Sequence, residues 1–220
     1  KIKGQITSAT GKAHIGVYAE DDAEFLSGSK VTVGNGDGKD YGIGVYTTNG
    51  NGYLESGSIN VGKDGVGVYV AGSNGTITAK NPFKMNLGDG SSGNNKGSFG
   101  FVNVGTGNKI YSDISNVTLK NNSVYIYSKD TSGNFANPQV TNNTNITATG
   151  NNNYGLYSAG YVVNNGNMNL GSGTGNVGVY AINNGNITNS GNITLGASTS
   201  SSRSIGAIAN VGTVNNTGKI

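Results

Sequence analysis

No cysteine occurs among the 220 residues, which excludes disulfides and thiolate metal sites. Tryptophan is absent too, and there are only two prolines. His14 is the single histidine and Arg203 the single arginine, so no histidine cluster or Ser-His-Asp triad can form within these residues. Charge is sparse: 14 basic and 11 acidic residues give a net charge of +3. No basic block provides the footprint that nucleic acid needs. No apolar run here is long enough to cross a bilayer, and no segment shows the 3.6-residue periodicity of a long helix. The sequence begins at "KIKGQI" and stops at "NNTGKI", both in mid-pattern, and reads as an internal piece of something longer.

What is abundant is small and polar. There are 39 glycines and 35 asparagines. The glycines lack the strict three-residue period of collagen. Regularly placed apolar residues argue against disorder. Eight pentapeptides align without gaps: "HIGVY", "GIGVY", "GVGVY", "SFGFV", "SVYIY", "NYGLY", "NVGVY" and "SIGAI". Their last residues are 18, 46, 69, 102, 127, 157, 180 and 208, at intervals of 28, 23, 33, 25, 30, 23 and 28. A floor of 23 with variable additions indicates a fixed unit that carries loops.

Each unit has two more apolar landmarks. The first falls at Leu54, Ile77, Val163, Ile187 and Val214; the second includes "SINVG", "NMNLG" and "NITLG". "NG", "NNG" and "SG" steps separate them, and these form turns because Asn and Gly accept positive φ cheaply. Three short strands of period two and three bends use up about 23 residues per unit. This predicts an all-β fold: a parallel β-helix (β-solenoid) of about eight coils spanning 1–220, each strand pairing with its copy one coil on. Eight coils stack to a rod about 35 to 40 Å long. A propeller blade would need about 40 residues and four strands. A stray helical turn is the expectation at "AEDDAEF".

Simple alternation places pentapeptide positions two and four inside, such as Val66 and Val68, with the third-strand pairs Ile59 and Val61 or Met168 and Leu170. Positions three and five then face out. Position three is glycine in seven coils, and position five is tyrosine in six. A tyrosine leaning over the neighbouring glycine would cover bare backbone, and the rings would stack from coil to coil. The first reading of the tyrosines Tyr46, Tyr69, Tyr157 and Tyr180 is a structural ladder; the alternative is an aromatic strip on which a sugar or a protein partner docks. Stacked asparagines are expected to hydrogen-bond along the rod.

Asp37, Asp40, Asp64, Asp89 and Asp130 fall between a third strand and the next pentapeptide, but their offsets differ and lysines sit beside them, as on a solvated edge. No cofactor is indicated apart from a weak calcium possibility near Asp37 and Asp40 in "GNGDGKD". No catalytic residue is assigned. Long insertions fall at 19–29, 88–98 and 128–140, and insertions on one face often carry binding. Phe135 and the acidic run Glu20, Asp21, Asp22 and Glu24 are the loop candidates for partner contact.

Repeated "GVY" followed by "NNGNIT" and "SGNITLG" resembles the passenger repeats of large bacterial type V autotransporter adhesins, above all those of Fusobacterium. The resemblance covers essentially the whole chain. It implies a right-handed parallel β-helix displayed on the bacterial surface and carried to the outer membrane by a C-terminal β-barrel outside this sequence. It also implies attachment to a host-cell receptor, or to a bacterial surface protein or glycan. A purely structural stalk is the main alternative. A β-helical polysaccharide-degrading enzyme is the remaining one.

Overall fold

The structure is a computed structural model that describes residues 1–8, 14–36, 40–93, 96–130, 132–133 and 136–220. Among these residues every regular element is a strand, and the strands stack in parallel as a β-solenoid. The first wall holds eight strands: Ile15–Ala19, Gly42–Thr48, Gly65–Ser73, Ser98–Thr106, Ser123–Asp130, Tyr154–Ala159, Val177–Ile182 and Ile205–Ala209. Eight successive copies enclose seven turns between them. The second wall runs in the same order from Ala23–Phe25 to Val214–Asn216. The stretch read as a stray helical turn is therefore a strand at its end, because Ala23 and Phe25 are drawn into the core. The third wall is two sheets, not one. Its first four strands end at Lys84–Asn86, and the other four begin at Asn116–Leu119.

Equivalent residues meet coil to coil: Val45 pairs with Val68 and Tyr46 with Tyr69. The third-strand residues expected inside are inside, including Val31, Ile59, Met85, Val117, Met168 and Ile193. Leu54, Ile77 and Ile187 anchor the second wall as expected. At "VV" the buried residue is Val162 and not Val163, and Val214 in the last coil is 43% exposed. Burying each large aliphatic side chain contributes about 1.5 to 3 kcal/mol before entropy is counted.

The first strand departs from simple alternation. Position four faces the core, as Val45, Val68, Phe101, Ile126, Leu156 and Val179 do. Position three also faces the core. A Cβ added at Gly67 would lie 2.6 Å from the Met85 side chain, and one at Gly44 would lie 2.9 Å from Ile59 Cγ2. Both would also lie within 2.6 Å of the next coil's carbonyl oxygen. The inter-strand pairing skips Gly44 and Gly67, as expected where a strand bends round a corner. Two consecutive residues then point inward, and the first has room for hydrogen alone. Where tyrosine replaces this glycine, its ring goes inside. Tyr125 is fully buried, and its hydroxyl bonds Ser112 Oγ at 2.6 Å. The expectation that tyrosine covers the glycine from outside is therefore wrong, as is the inward placement of position two. Val66 and Val177 are buried, but by outer-face neighbours, and they lie apart from the core cluster.

Asparagines do hydrogen-bond along the rod. Asn142 Nδ2 donates to Asn164 Oδ1 at 2.8 Å, Asn164 to Asn189 at 2.7 Å and Asn189 to Asn216 at 2.6 Å. Each of these amides also donates to the carbonyl two residues on, which fixes the bend after the second strand. Asn142, Asn164 and Asn189 are completely buried, so the ladder satisfies polar groups that water cannot reach.

Candidate functional site: the aromatic outer face of the first wall

After the inward corner the strand resumes alternation, so positions two and five emerge on the same outer face. Parallel pairing stacks each position on its copy, about 4.8 Å apart. Tyr18 and Tyr46 lie 5.7 Å apart at 9°, and Tyr46 and Tyr69 lie 5.2 Å apart at 17°. Tyr127 and Tyr157 lie 5.1 Å apart at 14°, whereas Tyr180 meets Tyr157 edge-on at 80°. These rings are half-buried in the middle coils, and Tyr18 at one end is 57% exposed. Burial, then the neighbouring Tyr46 and Tyr127, raises the Tyr69 phenol above its ordinary range; burial likewise raises Tyr157.

The ladder is broken once between its ends, at Val102. Tyr69 and Tyr127 flank it from two coils apart, about 9 to 10 Å. The missing ring leaves an apolar hollow of about 480 Å³ lined by Tyr41, Val66, Tyr69, Phe99, Val102 and Tyr127, among others. Phe99 stands edge-on to Tyr41 at 5.7 Å and to Tyr127 at 6.0 Å, which braces one side. The hollow is one ring thick, and its walls are planar aromatic faces. Such a surface suits a flat apolar group: the C–H face of a sugar ring or the side chain of a protein partner.

Four residues singled out in the sequence, Tyr46, Tyr69, Tyr157 and Tyr180, share this face. The acidic run does not join them. Glu20, Asp21 and Asp22 occupy the bend after the first strand, and Glu24 lies on the second wall, paired in register with Tyr53. Asp22 Oδ1 accepts the Asn51 backbone N–H at 2.8 Å and so ties two bends together. Glu24 lies 3.4 Å from Lys1 Nζ. Phe135 and Asp37 lie outside the described residues. Asp40 is exposed. Among the described residues no three His, Cys, Asp or Glu side chains come together in the manner of a metal site. The position-two residues, Phe99 and Val66 above all, escaped sequence reasoning because strict alternation assigns them to the core.

The inter-coil aspartates serve the bends individually. Asp64 accepts Ser91 Oγ at 2.6 Å and Gly97 N–H at 3.1 Å. Burial works to raise its pKa, but these bonds, the Ser91 N–H and the Lys63 charge hold it below the usual carboxylate range. Asp89 accepts from the Asn121 N–H, and Asp130 from Gly107 and Ser132.

No family model matches this chain, and searches of curated proteins and of solved structures found no significant match.

Proposed function

We propose that this chain is a segment of a bacterial surface adhesin, a right-handed β-helix of the autotransporter-passenger kind held at the outer membrane by a β-barrel beyond this sequence. It attaches the cell to a host-cell receptor, or to a protein or glycan on other bacteria, through the aromatic face of its first wall. The supporting observation is the ring ladder itself. It places half-exposed tyrosines along one face and interrupts them with an apolar hollow at Val102. A spacer alone has no need of the hollow. We read the chain as binding and not catalytic, because Asp64, Asp89 and Asp130 are each engaged in holding a bend.

The test is attachment of the isolated chain to host and bacterial cells, with V102Y as the variant. Restoring the ring fills the hollow without touching the core face. Cell binding is expected to fall about tenfold, equivalent to about 1.4 kcal/mol, while the melting curve stays in place. Absence of any cell binding by the wild-type chain would leave the stalk reading in possession. Catalysis would be indicated by turnover of a polysaccharide.

A further inference from the structure

The break in the third wall forms a second site, away from the tyrosine ladder. At this level the first and second walls remain paired: Phe101 with Val68, and Ile110 with Ile77. Only the third wall opens, between Lys84–Asn86 and Asn116–Leu119. Phe83, Phe101 and Tyr125 are all enclosed in the adjoining interior; Phe101 pairs in register with the smaller Val68, and Tyr125 takes the place that glycine holds in the neighbouring coils. Beside these rings the third-wall strands Lys84–Asn86 and Asn116–Leu119 lie next to each other without pairing. The cleft at this break has a volume of about 520 Å³. That is within the range of small-ligand sites, roughly 300 to 1,000 Å³.

Its floor is apolar, made by Phe83, Met85, Leu87 and Val117, and its rim is polar and of one sign. Lys84 and Lys120 lie on this rim with Asn86, Ser115, Asn116 and Thr118, and among the described residues no carboxylate lines it. Both lysines are exposed, and neither has an ion-pair partner among the described residues. The nearby Asp89 carboxylate lies at the next bend and accepts the Asn121 N–H and side-chain amide. Asn86 and Ser115 are fixed in place by bonds to Asn60 at 2.7 Å and Asn81 at 2.9 Å. The strand edges that face the cleft are not paired with each other, so backbone donors and acceptors supplement the side chains. Two cations, fixed amides and hydroxyls around a cavity of this size complement a hydroxyl-rich anion.

We propose that the cleft between Lys84–Asn86 and Asn116–Leu119 binds an acidic saccharide, with the sugar carboxylate set between Lys84 and Lys120 and its hydroxyls met by Asn116, Thr118 and the open strand edges. An extended peptide would need the two strands about 9.6 Å apart along their whole length to add as a strand, and it carries few hydroxyls for this lining. The site is independent of the aromatic face and stands whether or not that face binds cells.

The test titrates the intact chain with a tetrasaccharide of alternating glucuronate units, with its carboxyl-reduced counterpart and with an acidic hexapeptide. Binding is followed by calorimetry and by amide shifts at Asn86 and Asn116. The glucuronate probe is expected to bind saturably in the millimolar range or tighter and to weaken as salt rises. K84Q and K120Q should each lose about tenfold without a change in melting, since both side chains are exposed, and Y69S should bind as wild type. The proposal is overturned by any of four results: no saturable binding, equal binding of the reduced counterpart, equal binding of the hexapeptide, or unchanged affinity in the K84Q/K120Q double variant.

Discussion

Replacing Asn164 by alanine should be among the costliest single changes outside the apolar core. Its side chain is completely buried. It accepts from Asn142 Nδ2 at 2.8 Å and donates to Asn189 Oδ1 at 2.7 Å and to the Gly166 carbonyl at 2.9 Å. Truncation deletes all three bonds. Asn142 keeps its second acceptor, the Thr144 carbonyl. Asn189 Oδ1 and the Gly166 carbonyl lose this donor in a place closed to water. Leaving a buried polar group unsatisfied costs about 1 to 3 kcal/mol, so two such groups cost on the order of 2 to 6 kcal/mol, and the small cavity adds to this. The adjacent Asn165 is the control. It is exposed, though it too bonds neighbouring coils, at 2.9 Å to Asn143 and 2.8 Å from Ser190. N165A should cost less than about 1 kcal/mol, because water replaces what is lost. Urea unfolding followed by far-UV circular dichroism, with hydrogen exchange at Val163 and Thr188, gives both values. If N164A unfolds within 1 kcal/mol of N165A, the ladder is a consequence of stacking and not a support of it.

Two further predictions address the first wall and its interior. G67A tests the inward corner: its methyl would lie 2.6 Å from Met85 and from the Gly100 carbonyl oxygen, and overpacking of this kind costs about 1 to 3 kcal/mol, so an unchanged urea midpoint would refute the placement. Tyr125 tests burial through pH. Burial pushes its phenol up from 10.0 to about 12, against the opposing bonds from Ser112 and Thr144. The folded form therefore holds a proton that the unfolded chain releases from about pH 10 upward, and stability should fall between pH 10 and 12 by on the order of 2 to 3 kcal/mol. Y125F should flatten that alkaline limb at a cost of about 1 kcal/mol at neutral pH. An identical alkaline limb in wild type and Y125F would remove Tyr125 as its source.

The periodic features were legible in the sequence because each depends on one coil repeating the last. Spacings that return to 23 residues set the coil, and pairs such as Ile59–Val61 and Met168–Leu170 marked the inner side of a straight short strand. Asparagine at matching places in successive coils announced a ladder. What alternation could not reveal was the corner inside the first strand. Parity holds along a straight strand, and a bend between Gly67 and Val68 turns both inward and sends Val66 out beside the tyrosines. That reversal depends on Met85 and on a carbonyl from the next coil, neither of which is close to Gly67 in sequence. The hollow at Val102 and the cleft beside Lys84 have a similar origin. Val102 is visible as a missing tyrosine, but that it opens a space between Tyr69 and Tyr127 follows from coil stacking. The cleft lies where the third wall changes from one sheet to the other, beside the interior that holds Phe83, Phe101 and Tyr125. Sequence alone thus determined the repeating coil and most of its core, since these are local and periodic. Tertiary structure decided which residues meet solvent at corners and irregular coils, where packing between coils overrides the local period.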